Sequence, residues 1–310
     1  MKKYVITGVN GFVGQYFIEH LNLVEPDADV LGLGIEGQTN INKIKYESVD
    51  LCDSVSVNNI IMEYKPDYII HLAAVSSVAK SWDDPAGCFL HNNATFLNLA
   101  EAIRKNSLST RILSVGSSEE YGVYNKQIKE TDGLHPKNPY SVARVSQEYL
   151  SKLYVDKFGL DIVMTRSFNH IGPRQSSKFV VSSFVEQLVN IADGKTENKM
   201  MVGNIDIVRD FTDVRDVVDA YYKIVTHAPN REIYNVCSSR GVVLREIIDI
   251  TAKLLNVRPN IFVDKSRLRS NEIMSVVGDN TKIKSKLGWQ PKYDLKKTIA
   301  DMISYKRLGR

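Results

Sequence analysis

A doubly wound parallel α/β sheet, followed by a smaller C-terminal α/β region, is the fold class this sequence predicts, and two observations predict it. Short runs rich in Val and Ile alternate with longer segments of helical period, and the first run ends in a glycine-rich turn, TGVNGFVG (7–14), that leads straight into a helical pattern. Alternation of this kind builds β-α-β units. Their parallel strands are buried on both faces and therefore read as continuous apolar runs.

Six such runs come in order: YVITG (4–8), DVLGLG (29–34), IKYESVD (44–50), DYIIHLAA (67–74), TRILSVGSS (110–118) and LDIVMTRS (160–167). Between them, CFLHNNATFLNLAEAIRKN (88–106) and PYSVARVSQEYLSKLYVDKFG (139–159) carry apolar residues at helical spacing and end near Asn or Gly, where helices stop. After about residue 167 the pattern loosens through SFNHIGPRQSSKF, then resumes as VVDAYYKIV (217–225), EIYNVCS (232–238) and LREIIDITAKLLN (244–256). The expected division is a first domain at 1–167, with 206–230 returning to it, and a second region at 168–205 and 231–310. No repeat, low-complexity tract or Pro-rich linker suggests a flexible array.

Composition narrows the function classes. The 310 residues are 43% apolar, enough for a full core. Basic residues number 40 against 36 acidic, and they are scattered, so the balance of +4 leaves no footprint for nucleic acid or a membrane surface. Cys52, Cys88 and Cys237 are an odd set without CxxC spacing, which builds neither a disulfide framework nor a zinc site and fits a reducing cytoplasm. The apolar run in MKKYVITG is too short for a signal peptide, and no stretch nears the roughly 18 apolar residues of a membrane span.

Gly8, Gly11 and Gly14 form a GxxGxxG set directly after the first strand. Gly8 permits the tight turn, Gly11 lets backbone approach a pyrophosphate, and Gly14 lets the helix pack close on the sheet, while the helix start offers its amides to the anion. The expectation is a Rossmann-type dinucleotide site, its contacts made by Gly8, Gly11, Phe12, Val13 and Gly14 and by Leu51, Leu72, Ala73 and Ala74 at strand ends. The acid that meets the adenosine ribose of NAD stands at the end of the second strand. Glu36 occupies that place, and 25–42 contains no Lys or Arg to hold the extra phosphate of NADP. NAD is thus the expected cofactor. Asp50, ending the third run, either accepts from the adenine amino group or caps the next helix.

A hydride enzyme acting on an alcohol or ketone needs a proton carrier, and a tyrosine serves only when a nearby cation lowers its pKa from about 10. In NPYSVAR (138–144), Tyr140 and Arg144 are four apart and share a helix face. In VGSSEEYG (115–122), Ser117, Ser118 and Glu119 stand where the fifth strand leaves the sheet, at the edge where ligands bind in this architecture. Tyr293 and Lys297 match the usual Tyr-x-x-x-Lys spacing literally, but they lie among Lys292, Lys296 and Lys297 near the C-terminus and read as a solvated helix start.

Taken end to end, the chain resembles the extended short-chain dehydrogenase/reductases that modify nucleotide sugars, and within them the GDP-4-keto-6-deoxy-mannose reductases. The resemblance rests on the three stretches just quoted and on HLAAVSSVAKSW (71–82), SFNHIGPRQS (167–176), VRDFTDVRDVVDAY (208–221), YNVCSS (234–239), RLRSNEI (267–273) and LGWQPKYDL (287–295). It implies that Ser117 hydrogen-bonds the sugar oxygen at C4 and that Tyr140 moves the proton. Arg144 replaces the family's lysine, which binds the nicotinamide ribose. Arginine keeps the charge but brings a wider, planar fork that never deprotonates.

The resemblance also implies that Arg209 and Arg269 grip the diphosphate, that Glu272 holds the nucleotide's ribose, and that Asn169 meets sugar or phosphate. Ser76, Ser118, Glu119 and Arg174 complete the expected substrate set, whereas His170 reads as a buried loop residue. The implied activity is interconversion of a C4 hydroxyl and a C4 ketone on a GDP-linked hexose or heptose, in either direction. Glu119 stands where sugar-nucleotide 4,6-dehydratases keep their base, so dehydration is the alternative, and a weakly catalytic nucleotide-sugar binder is a further one. Relatives pair the helices near 88–106 and 139–158, which implies a homodimer.

Overall fold

Each of the six apolar runs becomes a strand at its place in the chain. The computed structural model describes residues 1–308 except Glu36, Asn40, Asn42 and 269–272. Its elements are β1 (Lys3–Thr7), α1 (Phe12–Val24), β2 (Asp29–Gly34), β3 (Lys45–Ser48), α2 (Ser54–Tyr64), β4 (Tyr68–His71), α3 (Val78–Asp83), α4 (Pro85–Lys105), β5 (Arg111–Ser117), α5 (Pro139–Phe158) and β6 (Asp161–Ser167). There follow β7 (Asn169–Ile171), α6 (Val180–Ala192), β8 (Lys199–Val202), β9 (Val208–Asp213), α7 (Val214–His227), β10 (Ile233–Val236), β11 (Gly241–Val243), α8 (Leu244–Leu255), β12 (Asn260–Val263), β13 (Ser275–Val276), α9 (Thr281–Leu287) and α10 (Leu295–Arg307).

The main sheet is seven-stranded, in the order β10-β6-β5-β4-β1-β2-β3, with every pairing parallel. The chain builds outward from β1 to β3, then returns to the other side of β1 to lay down β4. Between β1 and β4 the order reverses, and in open sheets the cleft beyond the strands' carboxyl ends at such a point is where ligands bind. Strand alternation divides the core between two faces: Tyr4 and Ile6 pack with Phe17, Leu21, Val217 and Tyr221 under α1 and α7, whereas Val5 packs with Ile61, Phe96, Leu99 and Ile112 under α2 and α4. A third core, with Phe184, Leu188, Ile247 and Ile303, joins α6, α8 and α10 beside the small sheets of β7 to β9 and β11 to β13.

Two strands depart from the division expected from sequence: β9, within the 206–230 stretch expected to return to the first domain, lies in the small sheet with β7, β11 and β13, and β10 joins the main one. Strand β10 pairs in register with β6, Ile233 beside Met164 through Val236 beside Ser167, and closes the main sheet. Trp289 and Ile283 likewise pack into the core under α1 and α7. The physical reason is that β6 needs a hydrogen-bonding neighbour on its outer side, and the tetrad IYNV, buried throughout, supplies one.

Candidate active site

The turn after β1 is built for close approach. Gly8 has φ +65, and a Cβ there would meet the Ala73 backbone at 3.0 Å. At Gly14 a Cβ would lie 2.5 Å from the Val9 carbonyl oxygen, so α1 can seat against the loop only with glycine. Gly11 caps α1 with no side chain bonded to the helix's first amides, which leaves them directed at the cleft. This cradle fits a dinucleotide pyrophosphate. Phe12 stacks near-parallel to the His170 ring at 6.1 Å, Val13 packs on the core edge, and Leu72 and Ala73 donate their amides to Thr7 Oγ1 at 3.1 Å each. Ala74 follows on the same half-buried strand exit.

On the far side of the cradle, Asp50 is exposed and accepts the Cys52 amide within its own turn, at 2.9 Å. The cap of α2 is Asp53 instead, which accepts from Val55 and Ser56, so the capping alternative for Asp50 does not hold. Leu51 is buried, with its carbonyl held by Asn98. Glu36 lies outside the described residues, as do Arg269 and Glu272.

Where β5 leaves the sheet, the chain closes on itself. Ser117 Oγ accepts the Glu119 amide at 3.2 Å, leaving its own hydrogen to donate elsewhere. Glu120 folds back so that Oε1 accepts the Ser117 amide at 2.6 Å, which completes a capping box. Ser118 is buried in the same turn. Glu119 Oε2 accepts from Asn138 Nδ2 at 2.9 Å, and Asn138 is itself the cap of α5, bonded to the Ser141 amide. That single bond ties the strand exit to the start of the helix bearing Tyr140.

Arg144, almost fully buried, turns inward. Its guanidinium carbon lies 5.3 Å from the Tyr140 ring centre. Nη1 donates to the Val115 carbonyl at 3.0 Å and to Gln147 Oε1 at 2.7 Å, and Gln147 Nε2 in turn donates to Ser114 Oγ. Nε is buried without a partner. The charge thus sits against the tyrosine ring, and at least one arm of the fork is committed to protein. Nearby, burial first and the Arg144 charge second push His71 down to about 3, so its imidazole is neutral.

The remaining sequence-predicted residues divide. Asn169 begins β7 beside Phe211 of β9, and Arg209 lies in β9 between Val242 and Val276, so both belong to the small sheet. His170 lies on β7 rather than in a loop, and burial lowers its imidazole below the ordinary value. Ser76 is exposed on the loop from β4 to α3. Arg174 is bidentate to Glu19 of α1, at 2.6 and 2.7 Å, and covers the Tyr16 ring. Tyr293 stacks under Arg215 and Lys297 pairs with Asp301, both on the C-terminal side of the fold.

Sequence reasoning missed Glu120, Asn138, Glu148 and Arg166. Arg166 binds both oxygens of Glu148 at 2.8 Å and donates to the Tyr121 hydroxyl. A signal for Glu120 was present, since Ser117-x-x-Glu120 is the spacing of a capping box. Among the described residues no cluster could hold a metal ion, and no helix is long and apolar enough to cross a membrane.

The profile of the GDP-mannose 4,6 dehydratase family matches residues 5–302. The chain belongs to that family. It is 30% identical over 306 residues to GDP-6-deoxy-D-mannose reductase of Pseudomonas aeruginosa, covering 98% of this chain and 96% of that one. It is 27% identical to GDP-6-deoxy-D-talose 4-dehydrogenase of Aggregatibacter actinomycetemcomitans, over 99% and 98% of the two chains. A solved structure of RMD from Pseudomonas aeruginosa complexed with NADPH superposes with a TM-score of 0.88, at 29% identity, covering 99% of this chain and all of that one. The solved structure and this chain thus share the doubly wound parallel fold.

Proposed function

We propose that this chain is a nicotinamide-dependent oxidoreductase that interconverts the C4 hydroxyl and C4 ketone of a GDP-linked sugar. The observation that carries the reading is the bond from Asn138 to Glu119, which locks the exit of β5 onto the start of α5. It holds the Ser117 turn beside the helix of Tyr140. When bound in the glycine cradle, the nicotinamide cofactor supplies or accepts the hydride. Ser117 donates its hydroxyl hydrogen to the sugar oxygen, Tyr140 gives or takes that oxygen's proton, and Arg144 keeps a fixed positive charge behind the ring. Arg209, Arg269 and Glu272 serve the nucleoside diphosphate, and Asn169 the sugar.

The test is Tyr140→Phe with a GDP-sugar and the cofactor. Turnover, followed by nicotinamide absorbance, falls about 10²–10⁴-fold, while cofactor affinity is kept. Undiminished turnover overturns the reading. The 4,6-dehydratase reading is favoured by Glu119, two residues after Ser117, and Glu119→Gln separates the two: it abolishes a dehydration but leaves C4 oxidoreduction largely intact, because the amide oxygen still accepts from Asn138.

NAD over NADP is the preference the chain's own residues support, since 25–42 carries Glu36 and no cation; a ratio of kcat/KM for the two cofactors that favours NADP reverses it. A homodimer is also part of this proposal. On α5, Val142, Tyr149 and Leu153 are exposed along one stripe, and Trp82, Phe89 and Leu90 are exposed beside it, an apolar face suited to a second copy. Light scattering that gives the monomer mass at micromolar concentration would remove the dimer.

A further inference from the structure

Glu120 is fully buried directly behind Ser117. Its Oε1 takes the Ser117 amide, and its Oε2 has no hydrogen-bond partner. Gly116 is what makes room for it, because a Cβ there would run into Glu120 Oε1 and the Thr165 carbonyl. The carboxyl therefore occupies a slot cut for it by the preceding residue, one position before the serine that faces the substrate.

The charges around the slot do not suit a carboxylate. From β6, Arg166 reaches only to 4.0 Å of Glu120 Oε2, because its fork is already bidentate to Glu148. From α5, Glu148 brings a second carboxylate, with Lys152 neutralising part of it at 2.8 Å. Arg144, also from α5, contributes an attractive charge too weak to offset burial and the Glu148 charge. Tyr121 and Glu119 come from the turn itself. Glu130, from the segment packed on β10, points its Oε1 at the Asn235 amide and its carbonyl at Arg166. One bond from an amide and one distant, shared guanidinium leave a dry carboxylate under-compensated.

We propose that Glu120 is a positioning residue that works as the neutral acid: protonated, it keeps its place in the dry slot under the Ser117 amide, and ionised, although that one bond strengthens, burial and the Glu148 carboxylate drive it toward water and loosen the Ser117 turn. The inference rests on Ser117 being the residue that holds the sugar oxygen. Burial, then the charge of Glu148, push Glu120 up to about 8. The sign follows. A folded-state value above the ordinary carboxylate range means that stability declines as pH rises from the unfolded value to the folded one, and that the clamped form is lost above it.

The experiment compares wild type, Glu120→Gln, Glu120→Ala and Ser117→Ala in the full chain. In wild type, kcat falls above the Glu120 titration by up to about tenfold per pH unit, with KM for the GDP-sugar little changed. Glu120→Gln keeps an oxygen for the Ser117 amide and has no acid to lose, so its alkaline fall disappears while neutral-pH kcat is retained within about threefold. Glu120→Ala lowers kcat about tenfold or more at neutral pH. Melting of the protein without substrate gives a readout independent of turnover: as pH rises from about 4.5 to about 8, wild type loses stability relative to Glu120→Gln. Identical pH profiles and parallel melting curves for wild type and Glu120→Gln overturn the proposal, even should Glu120→Ala fail to fold. Retention of activity in Ser117→Ala instead overturns the role of Ser117 itself, and so separates the two failures.

Discussion

Arg144 sets its guanidinium carbon 5.3 Å from the centre of the Tyr140 ring, one helical turn away, while its Nη1 bonds both the Val115 carbonyl and Gln147 Oε1. The arginine is thus built into a buried hydrogen-bonded row that continues through Gln147 to Ser114 and Ser151. A positive charge is kept near the tyrosine, but it is held by the sheet and by its own helix.

Arg144→Lys therefore lowers activity. A lysine offers a compact ammonium in place of a planar fork, and Gln147 Oε1 loses its matched donor in a buried site, at a cost of about 1–3 kcal/mol. The expected outcome is a lower melting temperature with turnover reduced about tenfold. A large rise in turnover would show that the arginine impairs a site still shaped for lysine.

Gly14→Ala damages the cofactor cradle. Its Cβ would lie 2.5 Å from the Val9 carbonyl oxygen and 2.8 Å from that of Gly8, so α1 must move away from the turn. A loss of about 1–3 kcal/mol is expected, together with loss of the thermal shift that a nicotinamide cofactor gives the wild type. A retained cofactor-induced shift contradicts this.

Arg166→Leu is among the most destabilising single changes expected here. It leaves Glu148 buried beside Glu120 with Lys152 as its remaining bonded cation and removes the donor to the Tyr121 hydroxyl. Breaking a buried pair from one side costs about 3–5 kcal/mol, read as a lowered urea midpoint. A midpoint within experimental scatter of the wild type would falsify this account of the network.

Glu101 gives an acid-side signature. Arg104, bidentate at 2.7 and 2.8 Å, and the Tyr154 hydroxyl draw its carboxyl down to about 2. The stability it contributes is present above its unfolded titration and is lost as pH falls from about 4.5 toward 2. Glu101→Gln should cost about 1 kcal/mol at neutral pH, reduced by its partial exposure, and the gap should close on acidification. A gap that stays constant to pH of about 2 counts against the assignment.

The sequence by itself determined the order of β1 to β6, the cofactor turn and the Tyr140 face. These are local matters: strand alternation, glycine spacing and the four-residue repeat of a helix follow from backbone geometry within a few residues. The capping box at Ser117 and Glu120 was legible for the same reason. Tertiary structure alone decided that β10 closes the main sheet, that Arg174 is taken by Glu19, that Arg144 turns toward Gln147, and that Glu120 meets Glu148 and Arg166. Each of those depends on which side chains from distant segments share a dry space, and there the balance of desolvation against pairing, which no spacing encodes, decides where a charge goes.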